Sequence, residues 1–202
     1  MDTKERWKKA LAVWEHSAKQ VGLLESRIDP EQFTAVARII TGCEGKIVTT
    51  GTGTSGAAAK KIAHTFSCVE RPALFLSPAD AVHGGLGVVQ REDVVFLFSK
   101  GGKTAELLSL LPSLETKGCT TVAVTEKADS ILAERTTQLL QIWVDSEPDP
   151  FNMLATTSIA AVIATFDALA ITVMEETGFT REQFGVIHPG GAVGERLLGN
   201  IT

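Results

Sequence analysis

The sequence predicts an α/β fold: a doubly wound, three-layer α/β/α sandwich around a five-stranded parallel sheet, preceded by N-terminal helices. Two observations carry that expectation. After Gly45, short β-branched or apolar runs appear at 46–50, 73–76, 94–98, 120–124 and 139–144, and helical stretches lie between most of them. Continuous apolar strands alternating with helices imply a parallel sheet covered on both faces, and right-handed crossovers wind the chain to both sides.

Each element has its own warrant. Trp7, Leu11, Trp14, Ala18 and Val21 repeat at a 4-3-4-3 spacing, which places one apolar stripe on a helix from about Asp2 to Gly22. Such a helix at a chain end covers either its own domain or another subunit. Asp29-Pro30 opens a second helix as N-cap and first-turn proline, with Phe33, Val36, Ala37 and Ile40 turned inward. The strand at 46–50 runs through a glycine-rich turn into a helix over 55–68, and the strand at 73–76 follows. Beyond the strand at 94–98, Pro112 kinks or restarts a helix over 104–117. The strand at 120–124 precedes a helix over 130–137, and the strand at 139–144 completes the set.

The most apolar stretch, Met153–Met174, contains Thr156, Thr157, Ser158, Thr165, Asp167 and Thr172 and reads as a buried helix. In a bilayer Asp167 alone would cost about 2.5–3.5 kcal/mol. Neither an internal repeat nor a low-complexity linker divides the chain. Residues 1–202 are therefore expected to form a single domain, with 1–44 as N-terminal helices packing on the core or on another subunit.

Composition narrows the function. The 202 residues are 44% hydrophobic and 21% charged, which excludes a disordered tail or a coiled-coil rod. A net charge of −5 argues against nucleic-acid or anionic-membrane partners. It leaves room for a small phosphorylated ligand, which backbone N–H groups and hydroxyls can hold. Cys43, Cys68 and Cys119 form no CxxC pair, so no metal site or disulfide framework is expected. The charged N-terminus lacks the apolar core of a signal peptide, and the expected location is cytoplasmic.

In a doubly wound sheet ligands bind beyond the strand carboxyl ends. The first turn there, Gly51-Thr-Gly-Thr-Ser-Gly56, satisfies GxGxxG, the dinucleotide fingerprint. Its hydroxyls suit the oxygens of a phosphate monoester better, and the acidic residue a dinucleotide needs is poorly placed, Asp80 coming late. The second turn, Ser99-Lys-Gly-Gly-Lys-Thr104, ends like a Walker A loop, but Leu97 stands where the upstream glycine belongs. Two phosphate-competent turns on neighbouring strand ends therefore point to one dianion. Gly53, Thr54, Ser55, Ser99, Lys100, Gly102, Lys103 and Thr104 are the candidate binding residues. Of four histidines, His83 precedes Gly84-Gly85 and His188 precedes Pro189-Gly190-Gly191, on tight turns where a ring can project into a cleft. Glu147 follows a strand, and Glu106 stands early in a helix.

Gly53-Thr-Ser-Gly56, Pro78-Ala-Asp-Ala-Val-His83-Gly-Gly-Leu-Gly87, the 99–106 loop and His188-Pro-Gly-Gly-Ala-Val-Gly194 occur in that order. From about Gly45 to Leu198 the chain resembles the SIS (sugar isomerase) domain family, in particular its arabinose-5-phosphate isomerase branch. Members often continue into a tandem CBS pair; this chain, ending at Thr202, resembles the SIS-only form. The resemblance implies the SIS fold and a reversible aldose–ketose isomerisation, D-arabinose 5-phosphate to D-ribulose 5-phosphate, with no cofactor.

It also implies catalytic roles for His83, Glu106, Glu147 and His188, and phosphate-binding hydroxyls at Ser55, Ser99 and Thr104. Thr157 and Ser158 match a helix start beside the same pocket. Thr54 stands where the branch has a lysine, and Gly101 and Lys103 depart from its Ser-x-Ser-Gly-Glu loop; Lys103 is the candidate to restore the phosphate's charge balance. A homo-oligomer, dimer or tetramer, with sites shared between subunits is also expected. The alternative reading is a non-catalytic phosphosugar- or nucleotide-sugar-binding sensor module.

Overall fold

The computed structural model describes residues 1–190. Its strands are β1 (Ile47–Gly51), β2 (Ala73–Phe75), β3 (Val94–Phe98), β4 (Thr120–Thr125) and β5 (Gln138–Gln141). They pair in parallel throughout, in the order β2-β1-β3-β4-β5. The expected doubly wound sandwich is thus observed. Every residue of β1 and β3 is buried, as a central parallel strand with both faces covered requires. On the edge, β5 stops earlier than its apolar run, and the Gln141 N–H donates to Gln32 Oε1 at 2.8 Å.

The helices are α1 (Thr3–Gly22), α2 (Leu24–Arg27), α3 (Pro30–Thr41), α4 (Gly53–Ser67), α5 (Pro78–Ala81), α6 (Ala105–Leu108), α7 (Leu111–Lys117), α8 (Ile131–Glu134), α9 (Thr157–Glu176) and α10 (Arg181–Ile187). One sheet face packs against α3, α4 and α9 through Val36, Ile40, Ile62, Phe66, Phe166 and Leu169. The Phe166 ring meets Phe96 edge-on, their centroids 5.4 Å apart. The other face packs against α5 to α8 through Ala81, Leu107, Leu111, Leu114 and Leu132.

Pro112 divides the expected helix at 104–117 into α6 and α7, and the expected helix at 130–137 is the single turn α8. A capping box at Thr180 and Gln183 starts α10, a Thr-x-x-Gln signal that the sequence reading passed over. In the apolar stretch, α9 begins at Thr157, and Asp167 pairs with Lys61 of α4. The stripe on α1 runs against expectation for a domain-covering helix. Trp7 is 58% and Trp14 56% exposed, and their rings pack only on each other among these aromatics, 5.4 Å apart. The face turned to the domain carries His16, Ser17 and Gln20 instead.

Candidate active site

Strand order reverses between β1 and β3, so the crevice past their carboxyl ends is where a doubly wound sheet takes its ligand. The β1 turn feeds α4, whose N-cap residue Thr52 makes no side-chain cap; the first N–H groups of a fifteen-residue helix are left without one. Gly56 packs so tightly that a Cβ there would lie 2.6 Å from the Gly51 carbonyl oxygen. In the β3 turn, Gly102 has φ +64°, and a Cβ would lie 2.1 Å from Ser130 Oγ. Its glycine requirement therefore comes from turn geometry and packing.

The two turns meet. Ser55, Ser99, Lys100 and Ser158 line one cleft, together with Glu126 and an apolar wall that includes Trp143. Ser99 Oγ lies 2.7 Å from Thr104 Oγ1, so each hydroxyl orients the other. Lys100 Nζ donates to Glu147 Oε1 at 3.1 Å. Glu147 is 4% exposed and lies at the start of α9. Its Oε2 accepts from Thr156 N at 3.0 Å and Thr157 N at 2.8 Å, and its Oε1 accepts from the Ser158 hydroxyl. Burial pushes this carboxyl up, but the Ser158 hydroxyl, the Thr156 N–H, the Lys100 ammonium and the Thr157 N–H outweigh it and hold the pKa at about 2.

The supporting loop is tied down from within. Asn152, at φ 55°, accepts the Glu147 N–H at 2.6 Å on its Oδ1. The Asp149 carboxylate takes the N–H groups of Phe151, Met153 and Leu154 at 2.9, 3.0 and 2.8 Å.

Other expected site residues fall elsewhere. Gly53 and Glu106 line a second, more open cavity with Lys60, a residue that sequence reasoning did not single out. Lys60 stands 4.9 Å from the Phe75 ring centroid, and no local motif marks it. Thr54 and Lys103 are exposed and line neither cavity. The Thr157 hydroxyl faces α1, 2.8 Å from Ser17 Oγ, so this residue gives Glu147 its N–H and gives the cleft no hydroxyl.

His83 is exposed just beyond α5. His188 stacks on Phe184 at 4.0 Å, with Nδ1 3.0 Å from the Phe184 carbonyl oxygen. Neither ring lines either cavity. The rest of the second histidine motif, Gly191–Gly194, lies outside the described residues. Among the described residues, no three His, Cys, Asp or Glu side chains gather as a metal-ligand set.

This sheet order defines a doubly wound domain whose switch point lies between β1 and β3. Residues 40–172 match the SIS domain, and the chain belongs to that family. A crystal structure of a candidate sugar-phosphate isomerase from Listeria monocytogenes superposes with a TM-score of 0.93 at 48% identity, covering 94% of this chain and all of that one (100%). An Escherichia coli CFT073 protein in complex with arabinose 5-phosphate superposes with a TM-score of 0.89 at 34% identity, covering 94% and 100%. Arabinose 5-phosphate isomerase KdsD of Pseudomonas aeruginosa is 37% identical over 190 residues, 91% of this chain and 58% of the relative. Arabinose 5-phosphate isomerase GutQ of Escherichia coli K12 is 40% identical over 171 residues, 85% of this chain and 53% of the relative. The chain spans little more than half the length of these curated relatives.

Proposed function

We propose that this chain is an aldose–ketose isomerase of phosphorylated sugars, interconverting D-arabinose 5-phosphate and D-ribulose 5-phosphate. The observation that carries the reading is that Ser55, at the start of α4, joins Ser99 and Lys100 of the β3 turn on the wall of one cleft. The likeness to a domain bound to arabinose 5-phosphate at 34% identity supports the choice of substrate.

The chemistry needs a ring-opened sugar, removal of the proton alpha to the carbonyl, and its return to the neighbouring carbon through an enediol. Gripping the phosphate away from the reacting carbons supplies orientation, worth about 7–11 kcal/mol in favourable cases. Glu147, ionised and saturated with donors, makes a poor proton acceptor, so we assign it to holding Lys100 and the start of α9. A histidine needs little tuning to move protons near neutral pH. We assign that work to His188 and His83. Both rings lie off the cleft of their own chain, and we infer that a second copy delivers them. The exposed Trp7, Leu11 and Trp14 of α1 provide an apolar face for such an assembly.

The test is a ketose assay on purified protein supplied with arabinose 5-phosphate. Turnover that disappears in a folded His188→Ala variant supports the assignment, and undiminished kcat in that variant removes His188 from it. A second reading, phosphosugar binding without turnover, draws on the cleft's described lining residues, none of which is a histidine. Saturable binding with no ketose formed would favour it.

A further inference from the structure

The N-terminal helices reach the cleft through a polar network that buries Gln20 and leaves the Asp145 side chain half exposed. Gln20 of α1 is 3% exposed, and both ends of its amide are used. Its Oε1 accepts from Asp145 N at 3.0 Å and from Arg27 Nη1 at 2.7 Å, and its Nε2 donates to Asp145 Oδ2 at 3.1 Å. Arg27 Nη2 donates to the same Oδ2 at 2.7 Å, and its guanidinium lies 4.2 Å from the Trp143 ring centroid. Hydrogen bonds from Gln20 and Arg27 hold the Asp145 carboxyl below its usual range. Ser17 bonds Thr157 through the two hydroxyls, and His16 Nε2 lies 2.8 Å from the Ser146 carbonyl oxygen.

The residues gripped in this way, Trp143, Asp145, Ser146 and Thr157, bracket Glu147. Asp145 and Ser146 lead into it, and the Thr157 N–H donates to its Oε2 at 2.8 Å. Glu147 in turn holds Lys100, the one lysine or arginine among the cleft's described lining residues. A terminal helix that only needed to dock would bury its apolar stripe. Here the polar face docks and the stripe stays out, and a buried amide such as that of Gln20 is favourable only when its hydrogen bonds are complete. Completeness fixes position.

We propose that Gln20, seconded by Arg27 and Ser17, is a positioning residue of the site. It fixes the β5–α9 loop so that Glu147 holds the Lys100 ammonium toward the ligand's anionic group. The inference rests on reading the cleft as a phosphosugar site, and its test separates the two.

Gln20→Leu keeps the side chain's bulk and removes its bonds; Ser17→Ala is a milder variant should the first fail to fold. Hydrogen exchange without ligand is read at the Thr156, Thr157 and Ser158 amides, which all donate to Glu147. We expect these amides to exchange about tenfold faster in Gln20→Leu, less so in Ser17→Ala, with β3 unchanged. Unchanged exchange in both variants overturns the proposal.

Calorimetric titration with arabinose 5-phosphate then closes a double-mutant cycle. We expect Gln20→Leu to weaken binding about tenfold in the native background and less than about twofold in Lys100→Met. Equal losses in both backgrounds mean a merely structural role and overturn the positioning assignment. Wild-type protein that binds no arabinose 5-phosphate contradicts the reading of the site, while the exchange result still decides whether Gln20 fixes Glu147.

Discussion

Glu147 concentrates the site's electrostatics in one side chain. Its carboxylate is taken out of water, yet its pKa is held at about 2, against the ordinary glutamate value of 4.5. A folded-state pKa below the unfolded one means stability that is complete above about pH 5 and is lost as pH falls from 4.5 toward 2. The difference corresponds to about 3 kcal/mol at neutral pH. We therefore expect Glu147→Gln to lower stability by about that amount at pH 7 and to flatten the acid limb, checked by urea unfolding between pH 7 and 3. Equal losses at both ends of that range would separate Glu147 from the pH dependence. The residue type and its place after a strand were legible in the sequence. Its partners were not, because Ser158 and Lys100 reach it across the fold, from α9 and from the β3 turn.

At the scale of elements, periodicity proved reliable about shape and silent about partner. The repeat of Trp7, Leu11 and Trp14 correctly marked a helix, but α1 presents those side chains to solvent and docks through His16, Ser17 and Gln20. A stripe's spacing says which residues share a face, and carries no information on whether the covering surface belongs to the same chain. We expect Trp7→Glu/Trp14→Glu to shift the protein to a smaller species in sedimentation velocity while its far-UV spectrum stays the same. A native protein that already sediments as a monomer would contradict the assembly.

Other elements repeat the lesson. Pro112 announced the break between α6 and α7, since a proline is tolerated in a first turn and not in an interior one. The fold position of Lys60 followed from no local pattern; the packing of α4 on β2 places it beside Phe75.

For the molecule as a whole, the alternation of apolar runs with helices sufficed to predict the layers. The strand order, which sets the switch point, required the structure. That order brings Ser55 and Ser99, distant in sequence, onto one cleft, and leaves Gly53 and Glu106 on the neighbouring cavity. The candidate site was thus legible as two turns and became divided once those turns acquired walls. The most direct check is the crystal structure of this chain with arabinose 5-phosphate. We predict phosphate oxygens within hydrogen-bond reach of Ser55 and Ser99, with Lys100 Nζ turned toward the sugar phosphate. A ligand seated instead against Gly53, Lys60 and Glu106, with Ser99 and Lys100 untouched, would contradict the account.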